Sequence, residues 1–287
     1  MNGINAGGST DMSATIVLID GQFSDVFNAL NRGTAYGDGL FETIKLRSGE
    51  LLCEDLHIER LRAGCERLQL PLSLDDLHND IGMLAAQGYL YGDGVLKILL
   101  IRGGEAAGYR RDPVLACHRV LVKTLPRSLP PDTACLRVCD TRASVNPSIA
   151  GLKHLNRLDS VLARAEWSTE HYFDGILLDD QDCLVETTAA NIFWCKGREL
   201  YTPSLDRAGV AGILRHIVID RLVLRMGLNV HVGRYTRADF ERADSAFITS
   251  SLIGLVPVSS VPQWQWQGSQ NTLLAELKQC LIDEKYI

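Results

Sequence analysis

Apolar runs of strand length alternate with segments of helical periodicity along almost the whole chain of 287 residues. The run FETIKLRSGELLC, residues 41–53, alternates apolar and polar side chains around Ser48-Gly49, which predicts a β-hairpin. Hairpins and helices are mixed, without the regular strand–helix–strand repeat of a parallel sheet. The sequence therefore predicts an α+β fold made of two α/β domains.

A proline-rich stretch, residues 124–132, carries three of the nine prolines and is typical of a connection between domains. It separates a smaller N-terminal α/β domain, residues 14–123, from a larger C-terminal α/β domain, residues 133–287. Residues 1–13 are polar and glycine-rich, and we expect them to be disordered.

Helices are predicted where apolar residues recur every three or four positions, and strands where short apolar runs end in turn residues. Ser73 is placed to cap the second helix, and Gly227 is placed to end the fourth. The predicted helices span residues 56–70, 73–89, 154–170, 212–227 and 271–285. Besides the hairpin, the predicted strands span residues 14–21, 94–103, 114–122, 135–140, 175–180, 183–189, 190–195, 245–251 and 255–260.

Charge and hydropathy argue against several classes of function. The formal net charge of −6 includes no basic block, which disfavours a nucleic-acid surface. No stretch reaches the ~20 apolar residues of a membrane helix, and the N-terminus lacks the basic-then-apolar order of a signal peptide. The eight cysteines are scattered, so we expect reduced thiols, no metal site and a cytoplasmic protein.

One lysine stands in an apolar setting. Lys153, in GLKHLNRL, has Leu152 and Leu155 as neighbours and immediately precedes the predicted helix 154–170. A lysine in such a setting forms either a satisfied salt bridge or a reactive amine, because burial lowers the pKa of the ammonium group. A reactive amine can attack a carbonyl group and form a Schiff base. Spacing alone leaves both interpretations open.

Three other segments are candidates for a cleft. Glu186 is followed by small residues and by Asn191, and it either faces a cleft or belongs to an exposed turn. Gly209 and Gly212 lead into a helix whose free N–H groups could bind an anion. The hydroxyl groups of FITSSLIG, residues 247–254, could donate to a phosphate group or belong to a turn.

Arg60, in HIERL, is a further candidate, with a solvated helix face as the alternative. The sequence contains no HExxH, GxSxG or GxxxxGK[ST] motif. Metalloprotease, serine-hydrolase and P-loop functions therefore have no local support.

The order of these segments is more specific than any one of them. The succession YGDGLFETIKL, HIERL, GLKHLNRL, VETTAANIFW and AGVAGILR resembles the fold-type IV pyridoxal-phosphate enzymes, from about Ile16 to the last helix. That family includes branched-chain aminotransferases, D-amino-acid aminotransferases and 4-amino-4-deoxychorismate lyases. GLKHLNRL and YTPSLDRAGVAGI are most similar to the lyase branch.

The resemblance implies a role for each matching residue. Lys153 would form the Schiff base with pyridoxal 5'-phosphate (PLP), and Glu186 would pair with the pyridine nitrogen. Arg60 would bind the phosphate through charge-assisted hydrogen bonds. The other implied cofactor-binding residues are Asn156, Asn191, Gly212, Ile213, Leu214, Ser250 and Ser251, and the implied residues for the substrate carboxylates are Arg102, Tyr109 and Arg110.

The function that the resemblance implies is a lyase that converts 4-amino-4-deoxychorismate into 4-aminobenzoate and pyruvate. A D-amino-acid or branched-chain aminotransferase is the alternative, because the same cofactor residues serve both reactions. The resemblance also implies a homodimer with a functional link to an aminodeoxychorismate synthase, and no nucleic-acid or membrane partner. The chain departs from many relatives at Asn31, where they carry an aspartate.

Overall fold

The computed structural model describes residues 15–105, 108–112, 115–125, 129–269 and 271–287. The N-terminal segment 1–13, predicted to be disordered, lies outside the described residues, as does part of the predicted linker. In the described part, none of the helices combines the length and apolarity that crossing a bilayer requires.

Strands and helices follow one another along the chain as the mixed pattern predicts. The strands are β1 (Ile16–Ile19), β2 (Gln22–Phe23), β3 (Gly39–Arg47), β4 (Glu50–Leu51), β5 (Gly94–Ile101), β6 (His118–Thr124), β7 (Ala134–Val138), β8 (Asp174–Leu178), β9 (Leu184–Thr187), β10 (Asn191–Lys196), β11 (Glu199–Pro203), β12 (Asn229–Gly233), β13 (Ser245–Ser250), β14 (Gly254–Val261) and β15 (Trp266–Gln267). The helices are α1 (Arg32–Tyr36), α2 (Glu54–Leu68), α3 (Leu74–Ala86), α4 (Leu158–Arg164), α5 (Ile213–Ile217), α6 (Val223–Arg225), α7 (Arg237–Phe240) and α8 (Thr272–Asp283), with a π-helical segment, Val218–Leu222, joining α5 to α6.

The first sheet has six strands within the described residues, in the order β2-β1-β6-β5-β3-β4, and every neighbouring pair is antiparallel. The predicted hairpin is confirmed, because β3 pairs with β4 across Ser48 and Gly49. Both turn residues have positive φ, 51° and 89°, which is the backbone that a two-residue hairpin turn requires. The predicted strand 114–122 begins later, at His118, where pairing with β5 starts.

Helices α2 and α3 cover one face of this sheet. The apolar face of α2 buries Ile58, Leu61 and Cys65 against the sheet, as the helical spacing predicts. The cap predicted at Ser73 is confirmed, since its hydroxyl accepts a hydrogen bond from the N–H of Asp76. The packing of α2 matters for function because it places Arg60 beside Glu42 of β3.

The second sheet has nine strands within the described residues, in the order β12-β11-β10-β13-β14-β7-β8-β9, with β15 paired to β14. It is mixed, since β7 runs parallel to both β14 and β8. Phe193 and Phe247 stack on one face, in the core that α5 and α8 also enter. The α+β prediction is confirmed, and the two sheets lie on either side of the predicted linker in the sequence. The division into two domains remains a proposal.

The segment around Lys153 differs from its prediction. The predicted helix 154–170 is wrong at both ends, because α4 spans only Leu158–Arg164. The preceding residues instead pair with β3: the N–H of Phe41 donates to the carbonyl of Lys153 (2.9 Å), and the N–H of Leu155 donates to the carbonyl of Gly39 (3.1 Å). This pairing holds the backbone of the lysine extended. Lys153 therefore lies on a segment that crosses β3, residues 153–157, called the strap below, and not at the start of a helix.

Candidate active site

A cavity of about 310 Å³ lies between two groups of elements. Strand β3 of the first sheet and helix α2 line one side, and strands β9, β10 and β13 of the second sheet line the other. Its volume is at the lower end of the range for small-molecule sites. The sequence-predicted residues that line it are Arg60, Lys153, Glu186, Asn191, Gly212, Ile213, Ser250 and Ser251. The fold therefore brings together eight candidates that are spread over 192 positions of the sequence.

The amine of Lys153 is largely buried at the wall of this cavity. Its Nζ lies 4.3 Å from the ring centroid of Phe41, and the described residues give it no hydrogen bond or ion pair. Burial, and next to it the positive charge of Arg60, lowers the pKa of Lys153 from 10.5 to about 8. A substantial fraction of the amine is therefore neutral near physiological pH and can act as a nucleophile or a base.

Glu186 lies on β9 and is buried. One of its oxygens accepts hydrogen bonds from the N–H of Val210 (2.9 Å) and from the side-chain amide of Asn191 (3.4 Å). Its other oxygen lies 3.9 Å from a guanidinium nitrogen of Arg157. Burial raises the pKa of Glu186 to about 7, against the Val210 hydrogen bond and the charges of Arg157 and Lys153. A carboxylate in this state can hold or release a proton near neutral pH.

Arg60 is fixed in the cavity wall by a buried carboxylate. Its Nε and Nη2 donate to the two oxygens of Glu42 at 2.8 and 2.5 Å, and its Nη1 donates to the carbonyl of Ala211 at 2.8 Å. His57 contacts the same carboxylate at 2.6 Å. Burial alone would raise the pKa of Glu42, but Arg60 and His57 together lower it to about 2. Glu42 thus stays ionised and orients Arg60.

The start of α5 faces the same cavity. Gly212 caps the helix without a side-chain hydrogen bond, so N–H groups of its first turn lie at the cavity edge with the positive end of the helix dipole. A Cβ added to Gly212 would lie 2.1 Å from Oδ1 of Asn191, so backbone and amide are in close contact here. Ser250, the last residue of β13, and Ser251, which follows it, add hydroxyl groups to the same region. Together these groups could bind an anion.

Two predicted cofactor residues lie outside the cavity. Leu214 is buried in the core under the second sheet, leaving only its backbone near the helix start. Asn156 faces a second cavity and donates to the carbonyl of Gly37 at 3.1 Å. It does not share a helix with Lys153, because α4 begins two residues later.

The predicted substrate residues also lie away from the cavity in this chain. Arg102 is buried, pairs with Asp38 at 2.9 Å and donates to the carbonyls of Leu68 and Gln69. The side chains of Tyr109 and Arg110 are exposed, Tyr109 at 87%. Their contact with the substrate carboxylates stays a prediction.

Arg157 is a site residue that the sequence did not indicate. Its side chain lines the cavity and approaches Glu186, yet in the sequence it is one of several charges after Lys153. The signal available was its spacing of four residues from Lys153, which would place both side chains on one face of the predicted helix, but nothing near Arg157 in the sequence indicates its approach to Glu186. Phe41 was also missed, because an aromatic residue in a strand is usually part of the core.

These residues fit PLP as a group. The aldehyde needs an uncharged amine, which Lys153 would provide at the cavity wall. A protonated ring nitrogen needs a buried carboxylate, which Glu186 would provide. The phosphate needs a cation and free N–H groups, which Arg60 and the start of α5 would provide. The absence of a side chain at Gly212 lets the amide of Asn191 approach the helix end closely, since a Cβ there would lie 2.1 Å from its Oδ1.

The lowered pKa of Lys153 predicts how the apoenzyme takes up PLP. Only the neutral amine attacks the aldehyde, so the rate of covalent attachment should rise with pH and level off above about 8, the pKa of the buried amine. Borohydride trapping at successive pH values measures this rate. A rate that keeps rising tenfold per pH unit up to 10.5, the ordinary lysine value, would contradict the burial of the amine.

Gly212→Ala is expected to weaken PLP binding to the apoenzyme by about tenfold or more. The new methyl group displaces Asn191 or the start of α5, and such overpacking costs about 1–3 kcal/mol. Equilibrium titration of apoenzyme with PLP measures the loss. Gly82→Ala in α3 is the matched control, because its Cβ meets nothing within 4 Å. An affinity for PLP that is equal in both variants would show that Gly212 does not border the cofactor.

Comparison with known proteins adds an independent observation. The family model described as amino-transferase class IV matches residues 39–261. The aminodeoxychorismate lyase of Vibrio harveyi is 33% identical over 235 residues, which are 80% of this chain and 86% of that protein. The crystal structure of 4-amino-4-deoxychorismate lyase from Pseudomonas aeruginosa superposes with a TM-score of 0.87 at 33% identity, covering 94% of this chain and 100% of that one.

A more distant structure has the same fold. The branched-chain aminotransferase of the archaeon Thermoproteus uzoniensis, crystallised with norvaline, superposes with a TM-score of 0.82 over 94% of this chain and 96% of that one. At 19% identity this likeness shows the fold alone. One scaffold thus occurs in proteins named for two different reactions.

Proposed function

The chain belongs to the class IV aminotransferase family, and we propose that it is a PLP-dependent lyase that converts 4-amino-4-deoxychorismate into 4-aminobenzoate and pyruvate. The resemblance to fold-type IV enzymes is thereby confirmed, and PLP is the cofactor of this family. The observation that carries the proposal is the amine of Lys153 facing the same cavity as Glu186, in a chain one-third identical to proteins named for this lyase.

Bound PLP supplies a ring that accepts the electron pair left when the bond between hydrogen and the amine-bearing carbon breaks. Lys153 is the base for that proton, because its amine is partly neutral and has no competing partner among the described residues. Glu186 holds a proton at the ring nitrogen, and Arg60 with the start of α5 holds the phosphate. Held in this way, the reacting carbon would lie on the side of the cavity that carries the amine of Lys153.

The reaction balances without a further reactant. The substrate loses a proton from its amine-bearing ring carbon, and its carbon–oxygen bond to the enolpyruvyl group breaks. The leaving group takes the electron pair of that bond and a proton on its methylene carbon, and it departs as pyruvate. The ring that remains is aromatic 4-aminobenzoate. Lys153 can return the proton, so the residues of this cavity suffice for the proton transfers.

The proposal is tested by supplying the PLP-loaded protein with 4-amino-4-deoxychorismate. Chromatography measures 4-aminobenzoate, and lactate dehydrogenase measures pyruvate in the same samples. The lyase predicts the two products in equal amounts. Transfer of an amino group from D-alanine or branched-chain amino acids to 2-oxoglutarate, with neither lyase product, would move the function to the aminotransferase alternative.

We also propose a homodimer. Helix α4 exposes Leu158, Val161 and Leu162 at 68%, 60% and 54%, and these apolar side chains stand next to Ser160, which lines the cavity. Burial of such a patch against a second copy would remove apolar area from water. Light scattering is expected to give twice the mass of one chain, and the mass of a single chain would contradict the proposal.

The remaining proposals concern the surroundings of the enzyme. The cysteines 53, 65, 117, 135, 139, 183, 195 and 280 are free thiols in the described structure, which is the usual state in a reducing compartment, and we retain the cytoplasm as the location. The substrate must come from an enzyme that aminates chorismate, so a link to an aminodeoxychorismate synthase follows from the proposed reaction.

A further inference from the structure

Arg157 lies between the site carboxylate and a buried histidine. Its Nη1 is 3.9 Å from Oε1 of Glu186, and its Nη2 is 3.1 Å from Nε2 of His154. Its Nε donates to the carbonyl of Asn156 at 3.0 Å. Three contacts thus fix the guanidinium group. Arg157 also belongs to the strap, which hydrogen bonds to β3 hold in place.

The contact with Arg157 determines the state of His154. An arginine can only donate, so Nε2 of His154 must be the acceptor and the ring proton must be on Nδ1. Burial, and next to it the charge of Arg157, lowers the pKa of His154 to about 4, so the ring is neutral at physiological pH. His154 is buried, and its Nδ1 has no partner within the described residues. The histidine therefore acts as a fixed neutral acceptor that orients the guanidinium.

Several charged groups act on Glu186. They are Lys153, Arg157 and Asp159 on the strap and the start of α4, and Arg215 on α5. Arg157 is the one permanent cation within 4 Å of its carboxylate among the described residues. Lys153 cannot serve in its place, because its amine is partly neutral and is the group that reacts.

Arg157 and Glu186 also separate two cavities. Both line the site cavity, and both line a second cavity of about 170 Å³ that His154, Asn156 and Asp159 also border. Polar side chains therefore border the carboxylate of Glu186 in both cavities. Arg157 is the cation that lines both cavities together with it.

We propose that Arg157, oriented by His154, is the positioning residue that favours the ionised form of Glu186 at the wall of the site. The proposal deepens the proposed function and rests on it for its consequence, since a charged Glu186 is what can hold the proton of a ring nitrogen. Arg157 would affect the reaction only through the charge of Glu186, so it is not itself a catalytic residue. Its effect is present in the apoenzyme, which allows a test that does not require turnover.

The test follows the titration of Glu186 in the apoenzyme. Protein labelled with ¹³C at the glutamate carboxyl carbons gives one titrating signal for each side chain, and the Glu186→Gln spectrum identifies the signal of Glu186. Arg157→Gln removes the charge and is expected to raise the midpoint of Glu186 by about one pH unit or more. Arg157→Lys keeps a charge and should stay closer to the unaltered protein. Arg198→Gln, an exposed arginine paired with Glu276, is the matched control and should leave the midpoint unchanged.

The role of His154 has its own variant. His154→Phe keeps the volume of the ring but removes the acceptor, so it should shift the midpoint in the same direction by a smaller amount. In the loaded enzyme, the acid limb of the kcat/KM profile of Arg157→Gln should move to higher pH, because activity needs ionised Glu186.

Three results would overturn the proposal. The first is an unchanged midpoint in Arg157→Gln, and the second is an equal shift in Arg157→Gln and Arg157→Lys, which would show that charge is not the cause. The third, a midpoint in His154→Phe equal to that of the unaltered protein, would remove the part given to His154. Because the titration uses the apoenzyme, it decides the proposal even if the protein makes no 4-aminobenzoate, a result that would count against the proposed function alone.

Discussion

Replacement of Lys153 by alanine is expected to lower the rate of 4-aminobenzoate formation by at least about 10⁴-fold. A general base alone contributes roughly 10²–10⁴-fold, and the variant also loses the covalent attachment of PLP. The amine at the cavity wall is partly neutral, because its pKa is lowered to about 8, and the described residues offer no second lysine among the lining side chains. Rates measured by chromatography, with visible spectra of the loaded protein, check both losses.

The matched control is Lys97→Ala. Lys97 contacts the ring of the same phenylalanine, Phe41, with its Nζ 5.2 Å from the centroid, but it is exposed and does not line the cavity. The control should keep both activity and the spectrum of lysine-bound PLP. If Lys153→Ala keeps that spectrum, another lysine binds the cofactor and the assignment is wrong.

Glu186→Gln has the second largest expected effect, a fall in kcat of about 10²-fold or more with PLP still bound. Glutamine cannot carry the negative charge that holds a proton at the ring nitrogen, and loss of one such electrostatic contact at a reacting centre costs roughly 10²–10³-fold. Binding persists because Lys153, Arg60 and the start of α5 are unchanged. Steady-state kinetics and PLP content of the purified variant measure the two quantities separately.

Glu66→Gln is the control for this variant, since its side chain is 64% exposed and pairs only with Arg62 among the described ion pairs. It should leave kcat unchanged. A Glu186→Gln variant with the full rate would remove Glu186 from the mechanism, whereas loss of bound PLP would give it a role in holding the cofactor rather than in turnover.

Local patterns were sufficient where structure depends on neighbouring residues. Ser48-Gly49 predicts the hairpin because few residue pairs adopt two successive positive φ values at low cost, and both residues adopt them. Ser73 predicts the start of α3 because its hydroxyl satisfies a free N–H of the first turn. In each case the signal and the structure lie within four residues of each other.

The strap at Lys153 shows where local patterns fail. Apolar residues after Lys153 recur with helical spacing, yet the segment before Leu158 is extended because it bonds to Gly39 and Phe41 of β3. That pairing joins residues more than a hundred positions apart, and no local sequence pattern near Lys153 predicts it. The missed role of Arg157 follows from the same error, because its direction toward Glu186 depends on the extended strap.

The candidate site was predicted in part. The order of motifs, through the family resemblance, selected Lys153, Glu186 and Arg60, and all three line one cavity. Their roles toward PLP stay predictions until they are tested. The residues proposed for the substrate carboxylates could not be located in this way, because that part of the site depends on loops and on contacts between elements that periodicity does not describe. Arg102 illustrates this limit, since its guanidinium is bonded to Asp38 and to the end of α2.

The central claim is that Lys153 alone among the seven lysines presents the amine that binds PLP. The most direct measurement is to load the apoenzyme with PLP, reduce it with borohydride, digest it and locate the modified lysine by mass spectrometry. The account predicts a single phosphopyridoxyl group on the peptide that contains GLKHLNRL. Modification of another lysine, or no modification in a protein that has bound PLP, would contradict it.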